Sequence, residues 1–300
     1  MMEDIGKIIG RGLDTYTNNL NLGIPFIINL VLTGLFFVIM LSFGIAYIFG
    51  ASLSSLENAT TPEQVILIIL PIITRNLFGI AVLVIVYLLV SLFFQSFFTA
   101  GAIGMARQAT EAGRTDLSTM MDAGKKNVVN LYLAQILAGL LYLAGIVFLV
   151  PGALSANLDQ MLSSADTGAL LLLAGGFLLW IVYILVLSLV LAIYRYSLVV
   201  DNLGPVDAII TGIGFFNRHK FDVFLLWLIT GAIAIIFTVI GQIMGLIPIM
   251  NIIWPFIGVF ISVLVIQPLT AVWWTRLYMT RTDKKIYFNE LLAHPNELKA

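Results

Sequence analysis

Long apolar runs fill most of the chain, punctuated by short polar segments. Six runs reach the roughly 20 mainly apolar residues a helix needs to cross a bilayer. They are Ile24–Phe49, Leu77–Thr99, Val128–Val150, Ala169–Ile193, Val223–Leu246 and Phe256–Leu277, and none contains an internal Asp, Glu, Lys or His. The pattern predicts an all-α fold, a polytopic transmembrane helix bundle of six spans forming a single integral membrane domain over residues 1–300, with a polar tail at 278–300. A shorter run, Val65–Ile73, holds Pro71 and precedes Arg75. It is too short to cross, so it is expected at the outer interface or as an outer extension of the second span.

The polar connections carry a second periodicity. Asp201 to Pro205 ends the fourth run, and Pro205 suits the first position of a new helix. There Val206, Ile209, Ile210 and Ile213 recur at i, i+3, i+4 and i+7, the spacing of one apolar helix face. A structural joint formed by Asp201, Pro205, Ile209 and Ile210 is expected. Its helix, Pro205–Phe216, would lie along the membrane face with Ile209 and Ile210 buried and Asp207 and Thr211 toward water. An N-terminal amphipathic helix over residues 3–20 repeats the spacing with Ile5, Ile8, Ile9 and, one position late, Leu13, and the middle connection repeats it with Leu117, Met120 and Met121. Each is followed by a polar cluster (Asn18 and Asn19; Lys125, Lys126 and Asn127; Asn217 to Lys220) leading into an odd-numbered span. This reads as three interfacial-helix-plus-hairpin repeats; the alternative is that amphipathic connectors are simply common beside membranes.

Charge gives the sidedness. Fourteen of the 15 Lys and Arg fall before the first span, after even-numbered spans, or in the tail; Arg75 is the exception. The positive-inside rule then places both termini in the cytoplasm and the protein in the cytoplasmic (cell) membrane. Trp273 and Trp274 are expected in an inner aromatic belt, Trp254 in an outer one, and Trp180 and Trp227 between helices. The composition agrees: 60% hydrophobic, 10% charged, mean hydropathy +1.05. A net charge of -1 argues against a nucleic-acid partner, and the absence of cysteine excludes disulfides and thiolate chemistry.

The stretch "RYSLVVDNLGPVDAIITGIGFFNRHKFDVFLL", from Arg195, resembles the recurring pattern of a family of uncharacterised, prokaryotic and largely archaeal, six-span membrane proteins. That family is related to the membrane domain attached to some bacterial glycerophosphodiester phosphodiesterases. In the pattern an aromatic-rich helix end meets an acidic residue, here Asp201. A short helix follows near Asp207–Ala208, then a polar end, here Asn217 to Lys220, and a new span. The family often has a small polar residue inside the short helix, where this chain has Thr211 and Gly212. The resemblance implies the six-span layout and transfers no catalytic residue.

A search for chemistry returns little. There is no H-E-x-x-H, no G-x-S-x-G and no Gly-rich phosphate loop. His219, between Arg218 and Lys220, fits a phosphate-facing rim better than a metal site, and His294 stands elsewhere. No catalytic residue, metal ligand or cofactor is expected. Gln95, Gln135, Gln242 and Gln267, with Asn29, Ser188 and Thr230, are the polar span residues. They either line a path for a neutral solute or join helices by hydrogen bonds. Gly241 to Gly245 is a GxxxG close-approach motif, and Asn58 opens the one glycosylation sequon. The expected role is a non-enzymatic assembly, scaffold or accessory protein whose partners are membrane lipids and a membrane protein or copies of itself. The alternative is a channel or carrier for a small neutral or lipid-like solute; a membrane enzyme with an unrecognised site is a third reading.

Overall fold

The computed structural model describes residues 3–49, 61–155 and 167–287. The sequon at Asn58, His294 and most of the tail lie outside the described residues. Every regular element among them is helical. Helix α1 (Ile5–Thr17) leads through a 3-10 turn (Leu20–Gly23) into α2 (Ile24–Phe49). Next come α3 (Pro62–Arg75), α4 (Leu77–Ala112) and α5 (Leu117–Ala144), the last extended by a 3-10 turn (Gly145–Leu149) and α6 (Val150–Ser155). The chain continues with α7 (Thr167–Val190), α8 (Tyr194–Asp201), α9 (Pro205–Arg218), α10 (Lys220–Gly245) and α11 (Pro248–Ile261). A π-helical turn (Ser262–Ile266) then joins α11 to α12 (Gln267–Arg281).

Six stretches are long and apolar enough to cross a membrane: Leu20–Ile48, Leu77–Ala112, Leu117–Ser155, Leu170–Asp201, Lys220–Gly245 and Pro248–Arg281. Each contains most of one apolar run read from the sequence, and several overrun it. The 36 residues of α4 measure about 54 Å at 1.5 Å per residue, well beyond a hydrocarbon core of about 30 Å. The overrun lies at the basic end of the bundle, and there the protein is packed. Buried apolar side chains fall between Ile5 and Leu22, Phe98 and Ala109, Met120 and Ala138, Leu191 and Leu226, and Val263 and Met279. Toward the opposite end the helices pair as three hairpins: α2 with α4, the α5 extension and α6 with α7, and α10 with α11. Their remaining faces carry exposed Leu, Ile, Val and Phe, the surface a lipid solvent requires.

Local chemistry explains the punctuation. Asp4 caps α1, accepting from the Ile5 N–H at 2.8 Å, and Asp116 caps α5, accepting from the Thr119 N–H at 3.0 Å. Gly113 ends α4 with φ 75°, a left-handed conformation that glycine adopts without penalty. The α4–α5 pair is the tightest contact, because Gly104 leaves no side chain where a Cβ would run into that of Ala123. Pro268 has no N–H and cannot satisfy the Leu264 carbonyl four residues earlier. The helix widens into the π turn there, and the Tyr16 hydroxyl donates to the freed carbonyl.

Three expectations change. The middle connector is no separate helix: Leu117, Met120 and Met121 begin the continuous α5. The repeat therefore holds for three hairpins but for only two preceding helices, α1 and α9. The packing faces are also rotated. Helix α1 buries Ile5, Ile8, Gly12 and Tyr16 while Leu13 is exposed, because Gly12 admits the Trp273 ring. Helix α9 buries Ala208, Gly212 and Phe215; Ile209 is half-buried and Ile210, expected inside, is 61% exposed. Small residues win the contact face because they let α9 approach α8 closely, with the Ser197 hydroxyl donating to the Ala208 carbonyl at 3.2 Å. Finally, Trp273 and Trp274 are buried rather than belted. Trp273 donates to the Ile9 carbonyl at 3.1 Å, and Trp274 stacks on Tyr196.

Candidate functional site

Helix α12 carries Arg276, Tyr278 and Arg281 near its end, and each reaches a carboxylate from a different segment. Arg276 grips Glu3 with two parallel bonds, Nε to Oε2 at 2.8 Å and Nη2 to Oε1 at 2.7 Å. Tyr278 donates to Asp201 Oδ2 at 2.5 Å, and Lys284 Nζ lies 2.7 Å from Asp201 Oδ1. Arg281 donates to Asp222 Oδ2 at 2.7 Å and to the Glu3 backbone carbonyl at 2.9 Å. One helix thus binds the start of α1, the end of α8 and the start of α10. Arg107 adds a link, pairing with Glu111 at 2.8 Å and donating to the Val200 carbonyl at 2.9 Å.

The Glu3 side chain and the Arg276 guanidinium are both 3% exposed. Arg11 also donates to Glu3 Oε1, at 2.6 Å. Burial acts to raise the Glu3 pKa, but hydrogen bonds and charge from Arg276 and Arg11 outweigh it and hold the carboxyl below its usual range. Asp116 is also held low, by hydrogen bonds from Ser118 and Thr119. His219 sits against the Phe215 ring, and burial lowers its pKa, so the neutral imidazole is favoured.

A second polar knot fixes the α4–α5 turn. Asn19, 5% exposed, donates to the Thr15 and Gly113 carbonyls and accepts from the Thr115 N–H at 3.0 Å. Asn21 donates to the Thr115 carbonyl at 2.8 Å. Beside this knot lies an open cavity of about 600 Å³ between α1, the end of α4, α12 and Tyr287. Its walls include Arg11, Asp14, Asn18, Arg114, Arg276 and Tyr287.

The four span glutamines do not converge. Gln95, Gln242 and Gln267 are exposed on the apolar exterior. Gln135 alone is buried, accepting from the Ser96 hydroxyl at 2.9 Å, and its Nε2 has no partner. Of the other polar span residues, Ser188 accepts from Trp227 Nε1 at 3.2 Å, Thr230 bonds back to its own helix, and Asn29 accepts from Thr33. Gly241 receives Trp254 of its own hairpin, while Gly245 faces open space. Asp201 ends α8 and Pro205 opens α9, with Asn202 left-handed between them. The ring around α12 was not foreseen. Its signal was present as Glu3 before α1 and as Asp201 and Asp222 at the two ends of one polar segment, but sequence separations of 59 to 273 residues hide the pairings. Among the described residues no group of three His, Asp or Glu is placed to hold a metal ion.

Six long apolar helices, paired as hairpins and locked together at one end, define a multi-pass α-helical membrane protein. Residues 89–278 match the model of a family described as a domain of unknown function, DUF7847. That match covers more than half of the chain, and the protein belongs to this family. It runs from the middle of α4 to Tyr278, taking in Asp201, Asp222 and Arg276 but leaving out α1 and Glu3. No curated protein and no solved structure matches the chain.

Proposed function

We propose that the protein is a non-enzymatic assembly, scaffold or accessory component of the cytoplasmic membrane, with both termini in the cytoplasm. The observation that carries this reading is the exposure of Gln95, Gln242 and Gln267 on otherwise apolar span surfaces. An amide facing lipid gains by finding an amide or hydroxyl on another helix, with about 0.6 to 2 kcal/mol per contact. Three such groups on the periphery suit lateral association with a membrane-protein partner or a second copy. The channel or carrier reading needs the amides gathered on one inner path, and the buried Gln135 by itself does not make one. The basic end is assigned to the cytoplasm on the charge asymmetry. The likeness of the α8–α10 stretch to the prokaryotic phosphodiesterase-linked membrane domain belongs to the same proposal.

The test is native mass spectrometry of the full chain released gently from its membrane. A stable complex, weakened when Gln95, Gln242 and Gln267 are together replaced by Leu, supports the reading. A monomer that retains a neutral solute, with the triple variant unchanged, overturns it in favour of a carrier.

A further inference from the structure

We infer that Arg195 is the docking point for a carboxylate carried within a transmembrane helix of a different membrane protein. The inference rests on the assembly reading above and names the chemistry of the partner. Arg195 stands at the start of α8, just past the fourth apolar run. Its Nε donates to the Tyr194 hydroxyl at 3.0 Å, and its guanidinium carbon lies 5.5 Å from the centre of the Tyr194 ring. Nη1 and Nη2 make no hydrogen bond to the described residues, and no Asp or Glu among those residues pairs with Arg195. Arg107, Arg276 and Arg281, by contrast, each hold a carboxylate.

The cation lies on the apolar side of the α12 ring. That ring, where Lys284 pairs with Asp201 and reaches water, marks the headgroup level. Arg195 is six residues before Asp201 on α8, about 9 Å at 1.5 Å per residue. Helical side chains lean toward the start of their helix, so the guanidinium points away from the basic end and into the spans. Its electrostatic neighbour there is Tyr142, 14 residues into the third apolar run. Arg195 is partly exposed, and farther from the ring α5 and α7 expose Leu141, Val182, Leu185 and Val186, an apolar flank along which a helix can lie. A charge at this level is costly until it is paired. A lipid phosphate at the ring is about 9 Å away, and a hydrogen bond needs about 3 Å. A second copy of this chain has no carboxylate to offer, because none of its six apolar runs contains Asp or Glu. A foreign helix with Asp or Glu roughly two turns inside its basic-side end brings the carboxylate to the right depth. The free edge of the guanidinium then meets it with two parallel N–H groups.

The experiment uses the full chain in phosphatidylcholine vesicles at mildly alkaline pH. The probe is a labelled polyleucine transmembrane peptide with a single Glu two turns from one end, and its Gln analogue is the control; association is read by energy transfer. The parent should bind the Glu peptide at least about tenfold more tightly than the Gln peptide. Arg195→Leu should lose that preference, and Arg75→Leu, at the opposite end of the bundle, should keep it. Arg195→Glu should move the preference to a Lys-bearing peptide, which separates loss of the pair from loss of the fold. If the parent binds both peptides alike, or if Arg195→Leu still prefers Glu, the inference fails. It is also overturned, in favour of a lipid phosphate, if native mass spectrometry shows added phosphatidylglycerol held by the parent and released by Arg195→Leu while the Glu peptide is not preferred. A native complex that persists unweakened in Arg195→Leu sinks this inference alone, whereas absence of any native complex sinks the assembly reading.

Discussion

Replacing Glu3 by Gln tests the α12 ring most directly. The substitution keeps the side chain's length and one acceptor oxygen, but removes the charge and turns an amide donor toward two guanidiniums. Arg276 is 3% exposed and cannot turn to water, so it becomes a buried, unpaired cation. Breaking a buried pair from one side costs about 3 to 5 kcal/mol, against about 0 to 1 for a surface pair. Taking about 2 to 4 °C per kcal/mol, the melting temperature in detergent should fall by roughly 6 to 20 °C. Arg11→Ala, which removes the 27% exposed partner and leaves Arg276 on Glu3, should cost far less. The double variant Glu3→Leu with Arg276→Met should recover much of the loss, because no charge is then stranded. Tryptophan emission during a thermal ramp is a suitable readout. If Glu3→Gln melts within about 2 °C of the parent, or if the double variant is worse than either single change, the pair does not lock the bundle. The pH dependence has a definite sign. The folded carboxyl is held below its usual range, so its stabilisation is complete above that range and is lost as pH falls through the folded pKa. The parent should therefore lose stability on acidification, and Glu3→Gln should flatten that limb.

Other changes probe other joints. Tyr16→Phe leaves the Leu264 carbonyl without a donor in the π turn and should destabilise by about 1 to 3 kcal/mol, measured by the same ramp. Gly104→Val overpacks the α4–α5 contact at Ala123 and should cost about 1 to 3 kcal/mol, whereas Gly245→Val, in open space, should change little. In this cysteine-free chain, a cysteine at Asn251 should react with an impermeant thiol reagent added to cells. Cysteines at Ser118 and Asn217 should react only after lysis, and the reverse pattern would refute the proposed orientation.

The spans were legible because lipid imposes one rule on every turn of a crossing helix, and local composition reports it. The α8–α9 joint was legible for the same reason, since Asp201, Asn202, Gly204 and Pro205 break a helix wherever they stand. Which face of a short helix packs was not legible. In α1 and α9 both sides offer apolar residues, and the choice fell to Gly12 and Gly212, where a neighbour could come close. The belt positions of Trp273 and Trp274 failed because α12 is surrounded by α1 and α8 at the level where lipid was expected. The glutamines could be found in the sequence but not placed, since a helical wheel does not say what lies opposite. The pairings of the α12 ring span 59 to 273 positions, and no short window of sequence contains them.

The dependence of α1 on α12 has a consequence for the order of events during synthesis. Glu3, Ile9 and Tyr16 are made 248 to 273 residues before their partners Arg276, Trp273 and Leu264. Until the sixth span has been made, α1 has its main docking surface missing. Docking of α1 therefore follows the making of α12 and joins distant parts of the described chain. A ribosome that stalls before α12 leaves α1 without the partners of Glu3 and Ile9.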